Sequence, residues 1–196
     1  MKKIVLSLSL TIVYLAVVGQ TNQPLPLNEL GQITYSEVVQ VEEADKELLL
    51  ANTFNYLLSL VGNHKKLKKG PYINEDSTEV YLPLTYTVYR DFPVHSPHGV
   101  IKYKFTVSVK DGRYRYMATN FVFHYLERNR YGRFVEVKGK SKPLEEPFYK
   151  GSQKLWDRHK QQTGEKIRTL AERLHADMFL PPEGPKEEIV KINEDW

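Results

Sequence analysis

This 196-residue chain predicts an α+β domain: an antiparallel β-sheet with helices packed on one face, preceded by a signal peptide. Three observations predict it. Ile101–Lys110 alternates apolar and cationic residues, turns at Asp111-Gly112, and returns through Arg113–Tyr125. Two segments, Asp45–Leu60 and Gly151–Asp177, instead carry apolar residues at helical spacing. The chain opens on Met1-Lys2-Lys3 and an uncharged run from Ile4 to Val18.

That opening has the order of a secretory signal: a positive start, an apolar stretch, and small or modest residues at Val17 and Gly19. Cleavage is expected before Gln20. The run is shorter than the roughly 20 apolar residues a spanning helix needs, so no membrane span is expected after cleavage. The expected organisation is a signal peptide over 1–19, a linker over 20–27 with Pro24 and Pro26, one domain over 28–180, and a charged tail over 181–196. The chain contains no cysteine, which removes disulfides, thiolate metal sites and cysteine nucleophiles together. An exported domain of this composition is held by its core alone. The formal charge of +4 includes Lys2 and Lys3, so the mature chain is closer to neutral. Its charges are segregated, with Glu29, Glu37, Glu42, Glu43, Asp45 and Glu47 early and Arg128, Arg130, Arg133, Lys138, Lys140 and Lys142 later.

Ile33–Val41, rich in β-branched residues, is expected to be the first strand. Asp45 is placed to cap a helix whose stripe is Leu50, Phe54, Leu57, Leu58 and Val61. Gly62-Asn63 ends it, and Lys65, Lys66, Lys68 and Lys69 follow near the negative end of its dipole. Val80–Arg90 turns Val80, Leu82, Leu84, Tyr86 and Val88 to one side, and Pro83 assigns it to an edge or a bulge. A loop through Pro93, Pro97 and Gly99 is expected next. The Asp111-Gly112 turn then sets a register: Lys110 faces Arg113, Val109 faces Tyr114, Val107 faces Tyr116, Phe105 faces Ala118 and Ile101 faces Val122. The opposite face collects Lys102, Lys104, Lys110, Arg113 and Arg115, with Met117 and Phe121. Phe134–Val137 is a further short strand. The last helix buries Ile167, Leu170, Ala171, Leu174 and Met178, and Gly164 is a place for it to bend or divide.

This order, with Leu25-Pro26-Leu27, Gly31-Gln32-Ile33-Thr34-Tyr35 and Val38-Val39-Gln40-Val41 behind a signal peptide, resembles a known family. A second block, Val107-Ser108-Val109-Lys110-Asp111-Gly112-Arg113-Tyr114-Arg115-Tyr116 with Phe121 beyond, carries the same likeness. The family is the exported domain of unknown function numbered 4468, whose fold is like that of the TATA-binding protein. The resemblance spans Leu27 to Tyr125 and implies a curved antiparallel sheet with helices on one face, in a protein of Gram-negative bacteria. It implies no reaction.

No catalytic, metal or cofactor motif stands out. His95-Ser96-Pro97-His98, with Asp91 nearby, sets two imidazoles in a loop, where a zinc site needs three or four ligands. His64, His124, His159 and His175 stand alone and read as surface or packed histidines. There is no Gly-x-Ser-x-Gly elbow, no Ser-x-x-Lys box, no phosphate loop and no dinucleotide fingerprint. The adjacent pairs Glu42-Glu43, Glu145-Glu146 and Glu187-Glu188 do not make acid–base couples by spacing. The candidate binding residues are Tyr81, Tyr89, Lys102, Lys104 and Arg115, cations interleaved with aromatics on one sheet face. Export argues against nucleic acid, which leaves an anionic envelope glycan or an envelope protein as partner. A solvated face whose lysines deter edge pairing explains the same residues and is the favoured reading, and Arg128–Lys142 reads first as a solvated loop and only second as an anion contact. The sequence thus supports a non-enzymatic binding or interaction domain in the periplasm or secreted. An exported hydrolase acting on envelope polymers is the alternative, and a structural accessory to an envelope complex is a third reading.

Overall fold

The computed structural model describes residues 25–62, 70–74, 76, 78–90, 94–147 and 153–180. Its elements run β1 Tyr35–Gln40, α1 Lys46–Gly62, β2 Tyr72–Ile73, β3 Glu79–Arg90, β4 Ser96–Lys110, β5 Arg113–Arg128, β6 Phe134–Pro143 and α2 Gln153–Met178. The expected signal peptide over 1–19, Lys65, Lys66, Lys68, Lys69, Asp91, Pro93 and the expected charged tail over 181–196 lie outside the described residues. No described helix is long and apolar enough to cross a membrane.

Every strand pairing is antiparallel, in the order β1-β5-β4-β3-β2, with β6 also on β5. The Asp111-Gly112 turn sits at the tip of the β4–β5 hairpin, and Gly112 has φ 71°, which a residue without Cβ adopts freely. The turn is fastened to the start of α1. Gly112 N donates to the Ala44 carbonyl (2.8 Å), Val41 N donates to the Gly112 carbonyl (2.8 Å), and Lys46 N donates to Asp111 Oδ1 (2.9 Å). Asp45 caps the helix as its position predicts, Oδ1 accepting from Leu48 N at 2.7 Å.

The hairpin register holds from Lys110↔Arg113 to Phe105↔Ala118 and then shifts between Lys102 and Lys104. Ile101 faces Phe123, not Val122. Asn120 takes a positive φ of 58° and adds one residue to β5, a bulge that reverses the pleat beyond it. Phe121 and Phe123 consequently turn inward and are buried, so Phe121 does not join Met117 on the open face. The expected loop through Pro97 and Gly99 is strand: β4 begins at Ser96, with a register shift opposite Val88 and Tyr89. Gly99 belongs there because a Cβ would sit 2.1 Å from the Phe123 ring. Pro83 lies on β3 beyond the reach of two-residue β2, so its missing N–H falls on an open edge.

Both helices cover the face of Val80, Leu82, Ile101, Phe105, Val107 and Tyr114, all buried. In α1 the buried face is Leu49, Asn52, Thr53, Tyr56 and Leu57, about one residue round from the expected stripe, and Leu58 is 47% exposed. The helix is apolar on several sides, so its period does not select a face. Polar contacts with the far end of the chain do: Tyr56 Oη donates to the Leu170 carbonyl at 2.8 Å, and Thr53 Oγ1 lies 3.7 Å from Met178 Sδ. Along α2 the buried stripe extends N-terminally through Trp156, His159 and Thr163, while Ala171 is half-buried. The helix runs unbroken through Gly164, whose missing Cβ leaves room for the Tyr35 hydroxyl. The expected loop in Arg128–Lys142 is the β5–β6 hairpin, turned by Asn129, whose side chain accepts from Tyr131 N and Arg133 N. Lys142 is buried over Trp156, its ammonium donating to the Pro147 carbonyl, and so leaves the solvated basic run.

Candidate functional site

The open face of the sheet carries the residues expected from sequence, in rows set by strand register. Tyr81, Thr106 and Met117 form one row, Pro83, Lys104 and Thr119 the next, and Thr85, Lys102 and Val122 the third. Lys104 Nζ lies 4.3 Å above the Tyr81 ring, and Tyr72 of β2 stacks on the same ring with centroids 5.1 Å apart. An exposed cation–aromatic contact of this kind stabilises by about 0.5–1 kcal/mol. Lys102 is otherwise engaged: Nζ donates to Glu136 Oε2 at 2.7 Å, and His124 Nδ1 lies 3.5 Å from the same oxygen. Arg115 is exposed on β5, opposite Ser108 and Val38, two strands from Tyr81. Tyr89 lies past the β3–β4 irregularity and stacks on His95 at 5.0 Å. The face therefore brings Tyr81 and Lys104 together, offsets Lys102 with a carboxylate, and leaves Arg115 and Tyr89 apart.

The histidines sort differently from expectation. His95 and His98 diverge, and His98 Nδ1 lies 2.8 Å from Nε2 of His159, which is buried. Burial holds both imidazoles below their usual range, His159 at about 4. His159 thus has an imidazole partner 61 residues away, while His175 meets the Tyr114 hydroxyl at 3.3 Å.

On the helix side of the sheet the chain encloses a groove of about 990 Å³ between β1–β5 and α2. Its sheet wall is Tyr35, Glu37 and Val39 of β1 with Tyr114 and Tyr116 of β5. Register makes this wall, because Glu37 pairs with Tyr116 and Val39 with Tyr114. Its helix wall is the exposed flank of α2, including Asp157, Lys160, Glu165, Arg168 and Glu172. Tyr116 Oη donates to Glu37 Oε2 at 3.1 Å. Burial pushes the Tyr35 phenol up, and pushes Tyr114 and Tyr116 up to about 12, with the neighbouring Glu37 carboxylate adding to both of the latter. The three phenols are therefore held neutral, as hydrogen-bonding groups and not as bases. Sequence reasoning passed over the groove because it forms only when β1 pairs with a strand nearly eighty residues away.

No family model matches this chain, and no curated protein does. Solved structures do match. A TBP-like protein from Parabacteroides distasonis ATCC 8503 superposes with TM-score 0.60 at 17% identity, covering 78% of this chain and 96% of that one. This chain has a TBP-like fold. A DUF4468 family protein from Bacteroides ovatus ATCC 8483 superposes with TM-score 0.53 at 11% identity, covering 82% and 94%. The TBP-like sheet agrees with the fold that the resemblance to domain 4468 implies. At these identities the likeness is one of fold, and fold does not carry function.

Proposed function

We propose that this TBP-like domain is a non-enzymatic binding module of the cell envelope and takes its partner in the groove between β1–β5 and α2. The observation that carries this reading is the groove itself: an open cleft of about 990 Å³ lined by three neutral phenols, Tyr114 buried and Tyr35 and Tyr116 half-buried. A hydrolytic site arranges groups whose shifted protonation supplies a base or an acid near neutral pH. Here the shifts move the phenols away from that range and leave them as fixed donors and acceptors. The exported location rests on Met1-Lys2-Lys3 and the apolar run Ile4–Val18. Carboxylates outnumber cations along the groove, which favours an envelope protein over an anionic glycan as the partner.

A photo-reactive amino acid placed at Arg168, on the groove's helix wall, is expected to cross-link an envelope component. The same probe at Lys104, on the open face, is expected to give none. Cross-linking from position 104 alone would move the site to the open face and overturn the groove reading.

A further inference from the structure

We infer that the groove receives an extended polypeptide segment carrying basic side chains at alternate positions, which adds as a strand to the outer edge of β1. This inference rests on the groove being the binding site and specifies what occupies it.

The first observation is the edge. β1 is terminal in the strand order and pairs, among the described strands, with β5 alone. Its register runs from Tyr35↔Ala118 to Gln40↔Arg113 without a shift, and Tyr35-Ser36-Glu37-Val38-Val39-Gln40 contains neither proline nor lysine. The opposite edge is shielded, being a two-residue β2 and then Pro83 on β3. Proteins ordinarily blunt a free edge by such devices; the β1 edge carries only one of them, the inward carboxylate of Glu37, and so stays open to a strand that neutralises that charge.

The second observation is that groove and edge are continuous. Tyr35, Glu37 and Val39 point under α2, and Ser36, Val38 and Gln40 point to the open face. A strand laid along β1 continues the pleat, so every second side chain enters the groove. Thr34 N donates to the Pro26 carbonyl at 2.8 Å, so the chain itself closes the Tyr35 end and directs an incoming strand to Glu37–Gln40.

The third observation is charge. Glu37 on the strand and Asp157, Glu165 and Glu172 on α2 line the groove beside two cations of the same helix, Lys160 and Arg168, and Arg168 Nε lies 4.0 Å from Glu172 Oε1. A carboxylate turned inward on an edge strand repels acidic strands, and against a neutral one it is buried without a partner at a desolvation cost. It accepts a strand whose inward residues are lysine or arginine, which meets Glu37 beside the Tyr116 hydroxyl.

The test uses the purified protein and a fluorescent seven-residue peptide of alternating lysine and valine, followed by anisotropy at low and high salt. Saturable binding is expected, at least tenfold weaker for the peptide with glutamate in place of lysine. Glu37→Gln, with folding checked by circular dichroism, is expected to weaken binding severalfold and to flatten its salt dependence. Methylating alternate backbone nitrogens of the peptide is expected to abolish binding in one of the two possible sets and spare it in the other. Equal binding of the lysine and glutamate peptides overturns the inference, as does undiminished binding of both methylated sets. A dimer whose β1 amides are protected from exchange without peptide also overturns it, because the edge then belongs to a second copy. Ala171→Trp, which fills the groove, separates the two levels: peptide binding that survives it refutes the groove reading itself. Loss of binding with Ala171→Trp, together with indifference to methylation, refutes strand addition alone.

Discussion

At the scale of single residues, the His98–His159 contact has the most direct consequence. Nδ1 of His98 and Nε2 of His159 lie 2.8 Å apart and share one proton, so a doubly protonated pair loses that bond. Burial, followed by the neighbouring His98 charge, holds folded His159 at about 4, against an ordinary 6.5 in the unfolded chain. As pH falls, the unfolded chain takes up the proton first, so folding stability present above about 6.5 declines toward about 4. Thermal melts across that window are expected to show the decline, and a His98→Gln, His159→Gln double variant to flatten it. A wild-type melting temperature constant over the window would show that the pair is not buried as described. The pair was not legible in sequence, because the β4 irregularity that turns His98 toward α2 leaves no local pattern. Asp45, by contrast, was legible as a helix cap, since an acidic residue before an apolar period acts within one turn.

At the scale of elements, the β4–β5 hairpin organises the domain. Its turn was legible because Asp111-Gly112 is a local signal, and the register followed by counting as far as Phe105↔Ala118. The count failed beyond Asn120, where one residue adopts a positive φ and the pleat reverses. The face of α1 was misjudged for another reason: Leu48, Leu49 and Leu50 offer three consecutive apolar positions, and long-range contacts through Tyr56 and Thr53 select among them. The turn also does more than reverse the chain, because Asp111 Oδ1 accepts from Lys46 N in the first turn of α1. Asp111→Ala is therefore expected to cost about 1 kcal/mol, near the usual cost of a lost helix cap. That corresponds to a fall of about 2–4 °C in Tm for a domain of this size. Asp111→Asn keeps the acceptor and the turn and should restore most of it. Equal melting of wild type and the alanine variant would show that the hairpin and α1 are not joined through this side chain.

At the scale of the whole molecule, the fold gives the two sides of the sheet different work. The open side was anticipated from alternation, and Lys102, Lys104 and Arg115 do stand there, exposed. That they do not converge was not legible, because Glu136, which engages Lys102, arrives from β6 through a hairpin turned at Asn129. The covered side holds the groove, created by β1, β5 and α2 from three distant parts of the chain. On the proposed function the groove binds and the basic face does not. The most direct test compares two variants for retention of envelope components on immobilised protein. Changing Lys102, Lys104 and Arg115 together to Gln should cost no more than about 1–2 kcal/mol, the loss of one exposed cation–aromatic contact and one surface ion pair, and leave retention unchanged. Ala171→Trp should keep the fold and abolish retention. Retention lost in the triple variant and preserved in Ala171→Trp would place binding on the basic face and rule out the groove.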